Sequence, residues 1–139
     1  MDDSILEDAE RKLGHTFTDR SLLKRALRHA SQADTRLKSN ERLEFLGDSV
    51  LGMVICEHLY QRYPSFLEGE LTKIKSNVVS RRTCADVAND IGLSDLLQLG
   101  KGMDGRDDLP MSLAAAVFES LIGALYLDAG LEVARSFIL

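Results

Sequence analysis

The sequence predicts an all-α fold, and three observations support this prediction. Apolar residues recur at helical spacing throughout the 139-residue chain, and no stretch alternates convincingly with a period of two. Only 2 prolines interrupt this pattern. Hydrophobic residues make up 45% of the chain and charged residues 28%, a balance that is typical of a globular domain and excludes a disordered or fibrous chain. We therefore expect one domain over residues 1–139.

The first half of the chain is predicted to hold three helices. They span residues 3–13, residues 19 or 20 to 30, and residues 40–63. Gly14 lies where the first helix is expected to stop, and Pro64 ends the third. The polar segment between residues 31 and 39 is predicted to be a loop.

The second half is predicted to begin with a helix near Glu68 and another that Ser80 caps and Gly92 ends. A short helical turn is expected over residues 94–99 and a loop over residues 100–111. The remaining elements are a strongly apolar helix that Ser112 caps and that ends at Leu127, and a last helix that begins after Gly130 and continues to Leu139.

Three carboxylates share one face of the helix at residues 40–63. At about 100° per residue, Glu41, Glu44 and Asp48 fall within an arc of about 60°, opposite an apolar stripe. Such a face is often simply solvated. However, apolar residues surround the later part of this helix, which indicates a central position, and like charges repel unless a cation lies among them. We therefore favour a cleft that binds a divalent cation.

Glu119 is the only charged residue between residues 112 and 127. A lone carboxylate in so apolar a helix must be paired, hydrated or neutralised. Taken alone, it is equally compatible with an exposed seam and with a functional site. Taken together with the acidic face of the other long helix, a metal site shared by the two helices is the better interpretation.

Two further features could serve binding. Phe45 lies beside the acidic face and away from the core stripe, so it is expected to pack against either a neighbouring helix of the same chain or a partner subunit. Four basic residues fall close together, at Lys73, Lys75, Arg81 and Arg82. They form either a solvated face or, beside a metal cleft, a surface that binds a phosphate backbone.

Composition and charge restrict the remaining choices. The net charge of −5 is not typical of a nucleic-acid binder, and it fits either ordinary solubility or carboxylates around a metal. Cys56 and Cys84 are expected to be reduced core residues rather than a disulfide, and neither belongs to a zinc-ligand pattern. Because the chain has no signal-peptide pattern and no run of about 18 apolar residues, we expect a cytoplasmic protein with no membrane contact and no organic cofactor.

Residues 40–51, with the sequence NERLEFLGDSVL, closely resemble the signature of the ribonuclease III family. Other segments look like further landmarks of that family, at residues 11–17, 26–31, 63–64, 68–69, 97–100 and 119–128. The resemblance covers essentially the whole chain and matches the endonuclease domain of bacterial members alone. Those members usually carry a double-stranded-RNA-binding domain after it, and nothing in this chain corresponds to that domain.

The resemblance implies an α-helical homodimer that cleaves double-stranded RNA with Mg²⁺ or, as a substitute, Mn²⁺. By position, Glu44, Asp48 and Glu119 match the metal-binding acids, with Asp48 and Glu119 in catalytic roles. Glu41 and Glu68 match accessory acids, and the four basic residues are the RNA-contacting candidates. Phe45 matches an aromatic residue that inserts into the other subunit.

One position departs from the family pattern. Ala116 stands where the family has an aspartate that helps to hold the metal, one helical turn before Glu119. The resemblance therefore implies an endoribonuclease weakened at this position. The alternative is an inactive dimeric module of the same fold that binds RNA or acts as a scaffold.

Overall fold

Seven α-helices and two short 3₁₀ turns form the part of the protein that our computed structural model describes, residues 2–98 and 110–139. The helices are α1 (Asp3–Leu13), α2 (Arg20–Ala26), α3 (Glu41–Arg62), α4 (Glu68–Val78), α5 (Arg81–Asp90), α6 (Met111–Ala129) and α7 (Leu131–Ile138). The 3₁₀ turns span Arg36–Lys38 and Ser94–Leu96. The prediction of an all-α fold is confirmed. Most of the loop predicted over residues 100–111 lies outside the described residues.

Helix α6 lies at the centre of the fold. Every residue from Ala114 to Leu125 is buried, and helices α2, α3, α5 and α7 all pack against it. By length and composition α6 could cross a membrane, but 67% of its most apolar 18-residue window is buried inside the fold. Burial against the surrounding helices accounts for this apolar sequence.

Helices α2 and α6 differ from the prediction at their ends. Helix α2 ends at Ala26 rather than near Ala30, because the following backbone pairs with the segment after the second 3₁₀ turn: Gln98 N donates to Leu27 O at 2.6 Å, and His29 N donates to Gln98 O at 3.0 Å. Helix α6 begins at Met111, after Pro110 instead of a Ser112 cap, and ends at Ala129. Pro110 offers no side-chain cap, but its carbonyl oxygen accepts hydrogen bonds from Leu113 N at 3.0 Å and Ala114 N at 3.1 Å, which start the helix.

Two buried carboxylates hold the segment between α1 and α2 in place. Glu10 accepts hydrogen bonds from Phe17 N at 2.7 Å and from Arg20 Nη2 at 2.7 Å. Asp128, at the end of α6, accepts from the backbone N–H groups of Thr18 and Asp19 and is 2.8 Å from His15 Nε2. These bonds satisfy backbone groups outside the helices and attach the amino-terminal elements to the central helix.

The outward face of α3 is more apolar than the sequence predicts. Met53 was expected to help surround a central helix with apolar residues, but 49% of its surface is exposed. Cys84 is buried as expected, whereas Cys56 is exposed, and both are free thiols. The prediction of a core position for Cys56 is therefore wrong, because the residue lies on the side of α3 that faces away from α6.

Candidate functional site

Three of the predicted acids line one pocket between α3 and α6. Glu44 and Asp48 lie one turn apart on α3, and Glu119 projects from α6. The pocket has a volume of about 250 Å³, and Phe45, Val79 and Arg81 complete its lining. Glu119 is only 6% exposed, so a carboxylate that the sequence could place equally well on an exposed seam is buried in this pocket.

A close contact between two helix backbones brings these acids together. A Cβ atom added at Gly47 would lie 1.7 Å from the carbonyl oxygen of Glu119, and one added at Gly123 would lie 2.4 Å from the carbonyl oxygen of Leu43. Only glycine permits this approach. Because Gly47 lies between Glu44 and Asp48 on α3, the contact occurs at the level of the acids. The sequence analysis missed this pair, although glycine inside two apolar helices is a signal of close packing.

The pocket opposes the ionisation of Glu119. Burial, a hydrogen bond with the Asp48 side chain, and the charges of Asp48 and Glu44 raise the pKa of Glu119 from 4.5 to about 8. Burial also raises the pKa of Glu44, which the nearby Arg81 opposes. The pKa of the neighbouring Cys84 thiol rises to about 12, through burial and the charges of Glu119 and Asp48. Arg81, the basic residue in the lining of this pocket, therefore does not fully offset the negative charges of the carboxylates.

Arg81 belongs to this acidic pocket. Its Nη2 lies 3.7 Å from Glu44 Oε2, and its side chain is 58% exposed. From the sequence Arg81 was grouped with Lys73, Lys75 and Arg82, and its contact with Glu44 could not be predicted because residues 44 and 81 are far apart in the chain. The contact is loose and open to solvent, so it neutralises Glu44 only in part.

The donor chemistry of the pocket fits a hard divalent cation. Carboxylate oxygens are the protein ligands that Mg²⁺ prefers, and a cation would relieve the repulsion among Glu44, Asp48 and Glu119. Within residues 2–98 and 110–139, however, no three His, Cys, Asp or Glu side chains converge closely enough to hold a metal ion. Two features account for this: Glu44 is directed toward Arg81, and position 116 contributes no carboxylate.

A second cavity, of about 370 Å³, adjoins the acidic pocket and shares Glu44 and Arg81 with it. Ala116 lines this second cavity, as do Asn40 and Glu41. Glu41 accepts two hydrogen bonds of 2.9 Å from Arg36, which hold the pKa of Glu41 below its ordinary value. Glu41 thus lies beside the acidic pocket rather than in it.

The other predicted site residues lie apart from these cavities. Glu68 lines a separate cavity of about 220 Å³ with Lys75, and its Oε1 accepts a hydrogen bond of 2.9 Å from the Thr72 hydroxyl. Lys73 and Arg82 are exposed. Within this single chain, the fold therefore does not bring Glu68 to the other acids.

Phe45 lies at one end of an exposed apolar face. It is 78% exposed, which excludes the interpretation that it packs against a helix of its own chain. Met53 and Tyr60 follow at similar spacing on α3, and Leu67 precedes α4; they are 49%, 74% and 74% exposed. Helical spacing places Met53 and Tyr60 on the same broad face of α3 as Phe45, but only Phe45 was predicted from the sequence to serve binding. We call Phe45, Met53 and Tyr60 the α3 outer face.

Comparison with protein families gives a match over most of the chain. Residues 19–139 match a family described as Ribonuclease-III-like. Curated relatives named Ribonuclease 3 include that of Rhodopirellula baltica, which is 53% identical over 130 residues and aligns with 94% of this chain and 49% of its own length. That of Symbiobacterium thermophilum is 52% identical over 132 residues, with 91% and 55% covered. The chain thus spans about half the length of the curated relatives it matches.

Solved structures show the same fold. The nuclease domain of ribonuclease III from Campylobacter jejuni superposes with a TM-score of 0.87 at 34% identity, over 95% of this chain and 92% of that chain. It is described as structurally flexible in a region involved in dimer formation. Dicer from Pichia stipitis superposes with a TM-score of 0.64 at 29% identity, over 88% of this chain and 52% of its own.

Proposed function

Because the chain belongs to the ribonuclease III family, we propose that residues 1–139 form an endonuclease domain that hydrolyses phosphodiester bonds in double-stranded RNA with Mg²⁺. One observation carries this proposal: Glu44, Asp48 and Glu119 line a single pocket in a chain whose relatives are named Ribonuclease 3. The resemblance of residues 40–51 to the family signature had pointed to Glu44 and Asp48, and that of residues 119–128 to Glu119.

Glu44, Asp48 and Glu119 are the residues that would hold the metal ion, with Mg²⁺ preferred and Mn²⁺ as a substitute. When bound, the metal would activate water and stabilise the negative charge that develops on the phosphate and the leaving oxygen. Burial of Glu119 keeps bulk water from screening its charge, which strengthens its attraction to a cation. Asp48, exposed at the mouth of the pocket, lies where substrate can approach.

Arg81 is suited to contact the RNA backbone beside these acids. Its guanidinium is 58% exposed and only loosely paired with Glu44, so it can exchange that carboxylate for a phosphate at little cost. Lys73 and Arg82 are exposed, and we propose that they add phosphate contacts. We also propose a phosphate contact for Lys75, which lines the cavity that contains Glu68.

We propose that two copies of the chain associate through the α3 outer face. Three large apolar side chains on one helix face are unfavourable in water, and an isologous contact would cover them in both copies at once. The dimer formation described for the Campylobacter jejuni nuclease domain supports this proposal. Glu68, which lies apart from the acids of its own chain, lines a cavity with Tyr60 of this face.

The alternative function is an inactive dimeric module that binds RNA or acts as a scaffold. The observation in its favour is that the described residues do not form a group of three metal-binding side chains, with alanine at position 116. Water can take a missing ligand position on Mg²⁺, but it supplies no negative charge. Weakened catalysis and complete inactivity are therefore the two outcomes to separate.

Cleavage of a long RNA duplex in Mg²⁺, measured beside the Ala116→Asp variant, tests the proposal. Loss of one electrostatic contact at a reacting centre costs about 10²–10³ in rate, so Ala116→Asp should accelerate cleavage by roughly tenfold or more. The new carboxylate should also slightly lower thermal stability without metal, because it adds repulsion among buried acids.

Met111→Asp is the matched control, since it adds the same charge to the exposed start of the same helix. It should leave the cleavage rate unchanged. Metal-dependent cleavage by the unaltered chain, accelerated only by Ala116→Asp, supports the proposal. Absence of cleavage in both the unaltered chain and Ala116→Asp would favour the inactive module, and equal rates would show that position 116 is not needed.

A further inference from the structure

The cavity beside the acidic pocket contains a polar group that the fold leaves unused. Asn40 lines this cavity and is 3% exposed, yet its Nδ2 has no hydrogen-bond partner among the described residues. Buried amide donors are nearly always paired in native structures. The donor is therefore unpaired in the fold, and an acceptor that reached it from the cavity would satisfy it.

Asn40 has no structural task that would explain its side chain. It precedes α3, but the side chain makes no capping hydrogen bond. Its backbone, in contrast, is fully used: Asn40 N donates to Arg28 O at 2.8 Å, and Asn40 O accepts from Glu44 N at 2.8 Å. Backbone bonds at both sides hold the residue in place, so its amide group is fixed in position beside Glu44.

The charges around the cavity select among possible acceptors. Arg36 pairs with Glu41 and Arg81 pairs with Glu44, so two positive and two negative side chains balance. A phosphate inside this cavity would face two carboxylates, unlike a phosphate at the solvent-exposed side of Arg81, where a backbone contact is proposed. A hydroxyl is favoured because it is neutral, accepts a hydrogen bond from an amide and donates one to a carboxylate.

His29 adds a second donor to this cavity. Ser31 N donates to His29 Nδ1 at 3.1 Å, which requires Nδ1 to be unprotonated and leaves the ring proton on Nε2. The cavity is thus lined by two residues that carry nitrogen donors, Asn40 and His29, and by two that carry acceptor oxygens, Glu41 and Glu44.

We infer that this cavity recognises a ribose 2′-hydroxyl of the substrate, with Asn40 as a residue that distinguishes RNA from DNA. The inference rests on the proposed function, since it assigns a sugar-recognition role to the cavity next to the acids. The 2′-hydroxyl is the group that separates the two kinds of nucleic acid, and it matches the paired donor and acceptor that the cavity offers.

Equilibrium binding of the full chain, without metal, tests the inference with two duplexes of one sequence. One is RNA, and the other carries 2′-fluoro sugars, which keep the A-form shape but lack the hydroxyl. Asn40→Leu should weaken binding of the RNA duplex about three- to tenfold and hardly change binding of the 2′-fluoro duplex. The affinity ratio between the two duplexes should fall accordingly.

Two further variants make the result decisive. Asn40→Asp keeps the shape of the side chain but replaces the donor by an acceptor, so it should lower the same ratio even if Asn40→Leu does not fold. Lys73→Ala should reduce binding of both duplexes alike, if at all, and leave the ratio unchanged. Because Asn40 Nδ2 makes no bond in the fold, Asn40→Leu should unfold at the same temperature as the unaltered chain or higher.

An affinity ratio that stays at the unaltered value in both Asn40 variants would overturn the inference while the proposed function stands. Loss of thermal stability with both affinities preserved would likewise overturn it, because it would assign Asn40 a structural role. Failure of the unaltered chain to bind either duplex would refute both the proposed function and this inference.

Discussion

Glu119 is held where its negative charge is least favourable. Its burial in α6 and the nearby carboxylates of Glu44 and Asp48 raise its pKa to about 8, while α6 itself supplies no compensating basic residue. A residue that destabilises the fold and lies in a pocket is typical of a functional site. The apolar sequence around Glu119 that made it conspicuous is also the cause of its raised pKa.

Glu119 should make stability depend on pH. Since its pKa is about 8 in the folded chain and near 4.5 in the unfolded chain, the folded state binds more protons between these values. The contribution of Glu119 to the free energy of unfolding is therefore greatest near the lower value and falls as the pH rises toward 8. Above about pH 8 Glu119 is ionised in the folded chain, and burial of its charge then lowers the free energy of unfolding by its full amount.

Glu119→Gln should consequently stabilise the protein at alkaline pH. The amide keeps the shape and can donate to Asp48 but carries no charge, so the free energy of unfolding should rise by about 1–3 kcal/mol at roughly pH 9 and little at roughly pH 5. Urea unfolding at both pH values measures this. Glu132→Gln, at an 85% exposed carboxylate, is the control and should show no such pH dependence. Equal stability of Glu119→Gln and the unaltered chain at pH 9 would contradict the account.

At the scale of residues, helical spacing was enough to place Glu44 and Asp48 on one face and to single out Glu119. It could not reveal the pairing of Arg81 with Glu44 or the unpaired amide of Asn40. Both depend on which distant segments meet, and a periodic pattern carries no information about such contacts.

At the scale of helices, the approach of α3 to α6 determines the geometry of the site. Gly47 and Gly123 each place a backbone where a side chain would collide with a carbonyl oxygen of the other helix. The distance between Glu119 and the acids of α3 is therefore fixed by main-chain contact. The two helices can shift little relative to each other at this contact, because protein interiors are closely packed and deform poorly.

Gly47→Ala should destabilise the fold and separate the acids. Alanine favours a helix by about 1 kcal/mol over glycine, but its Cβ would lie 1.7 Å from Glu119 O, so we expect a net loss of about 1–3 kcal/mol in the free energy of unfolding. Gly52→Ala on the same helix is the control: its Cβ would meet only Lys75 at 3.9 Å, so that variant should be as stable or more stable. Thermal unfolding and RNA cleavage report the two effects, and a Gly47→Ala protein equal to Gly52→Ala in both would refute this role.

The existence and order of the helices could be predicted from the sequence because periodicity and stop signals are local. Ser80 does cap α5, where its hydroxyl accepts from Thr83 N at 3.2 Å, and Gly14 ends α1 with a φ of 71°. The early end of α2 could not be predicted, because the backbone partner of residues 27 and 29 is Gln98, more than sixty positions away in the chain.

At the scale of the whole molecule, the α3 outer face is the feature that a single chain leaves unexplained. Phe45, Met53 and Tyr60 all lie exposed on one face of α3, and Phe45 also lines the acidic pocket. A second copy seated there would bury this face and bring two acidic pockets into one assembly. The sequence pointed to Phe45 alone, because exposure is a property of the assembled helices.

Phe45→Ala should weaken self-association. Truncation of a buried interface aromatic commonly costs about 2–4 kcal/mol, so sedimentation analysis should show a clear shift from dimer to monomer at equal concentration. Leu127→Ala, which removes a 53% exposed apolar side chain on α6, serves as the control and should sediment like the unaltered chain. A dimer affinity that is the same for Phe45→Ala would exclude Phe45 from the interface.

The glycine contact between α3 and α6 also bears on how the molecule fluctuates. Amides in tightly packed helix cores generally exchange with solvent hydrogen more slowly than those of exposed elements, and α4 has no buried residue. We therefore expect the amides of α3 and α6 around Gly47 and Gly123 to exchange more slowly than those of α4. Under the proposed function, adjustment to a bound duplex would then fall to exposed side chains at the rim of the pocket, such as Arg81.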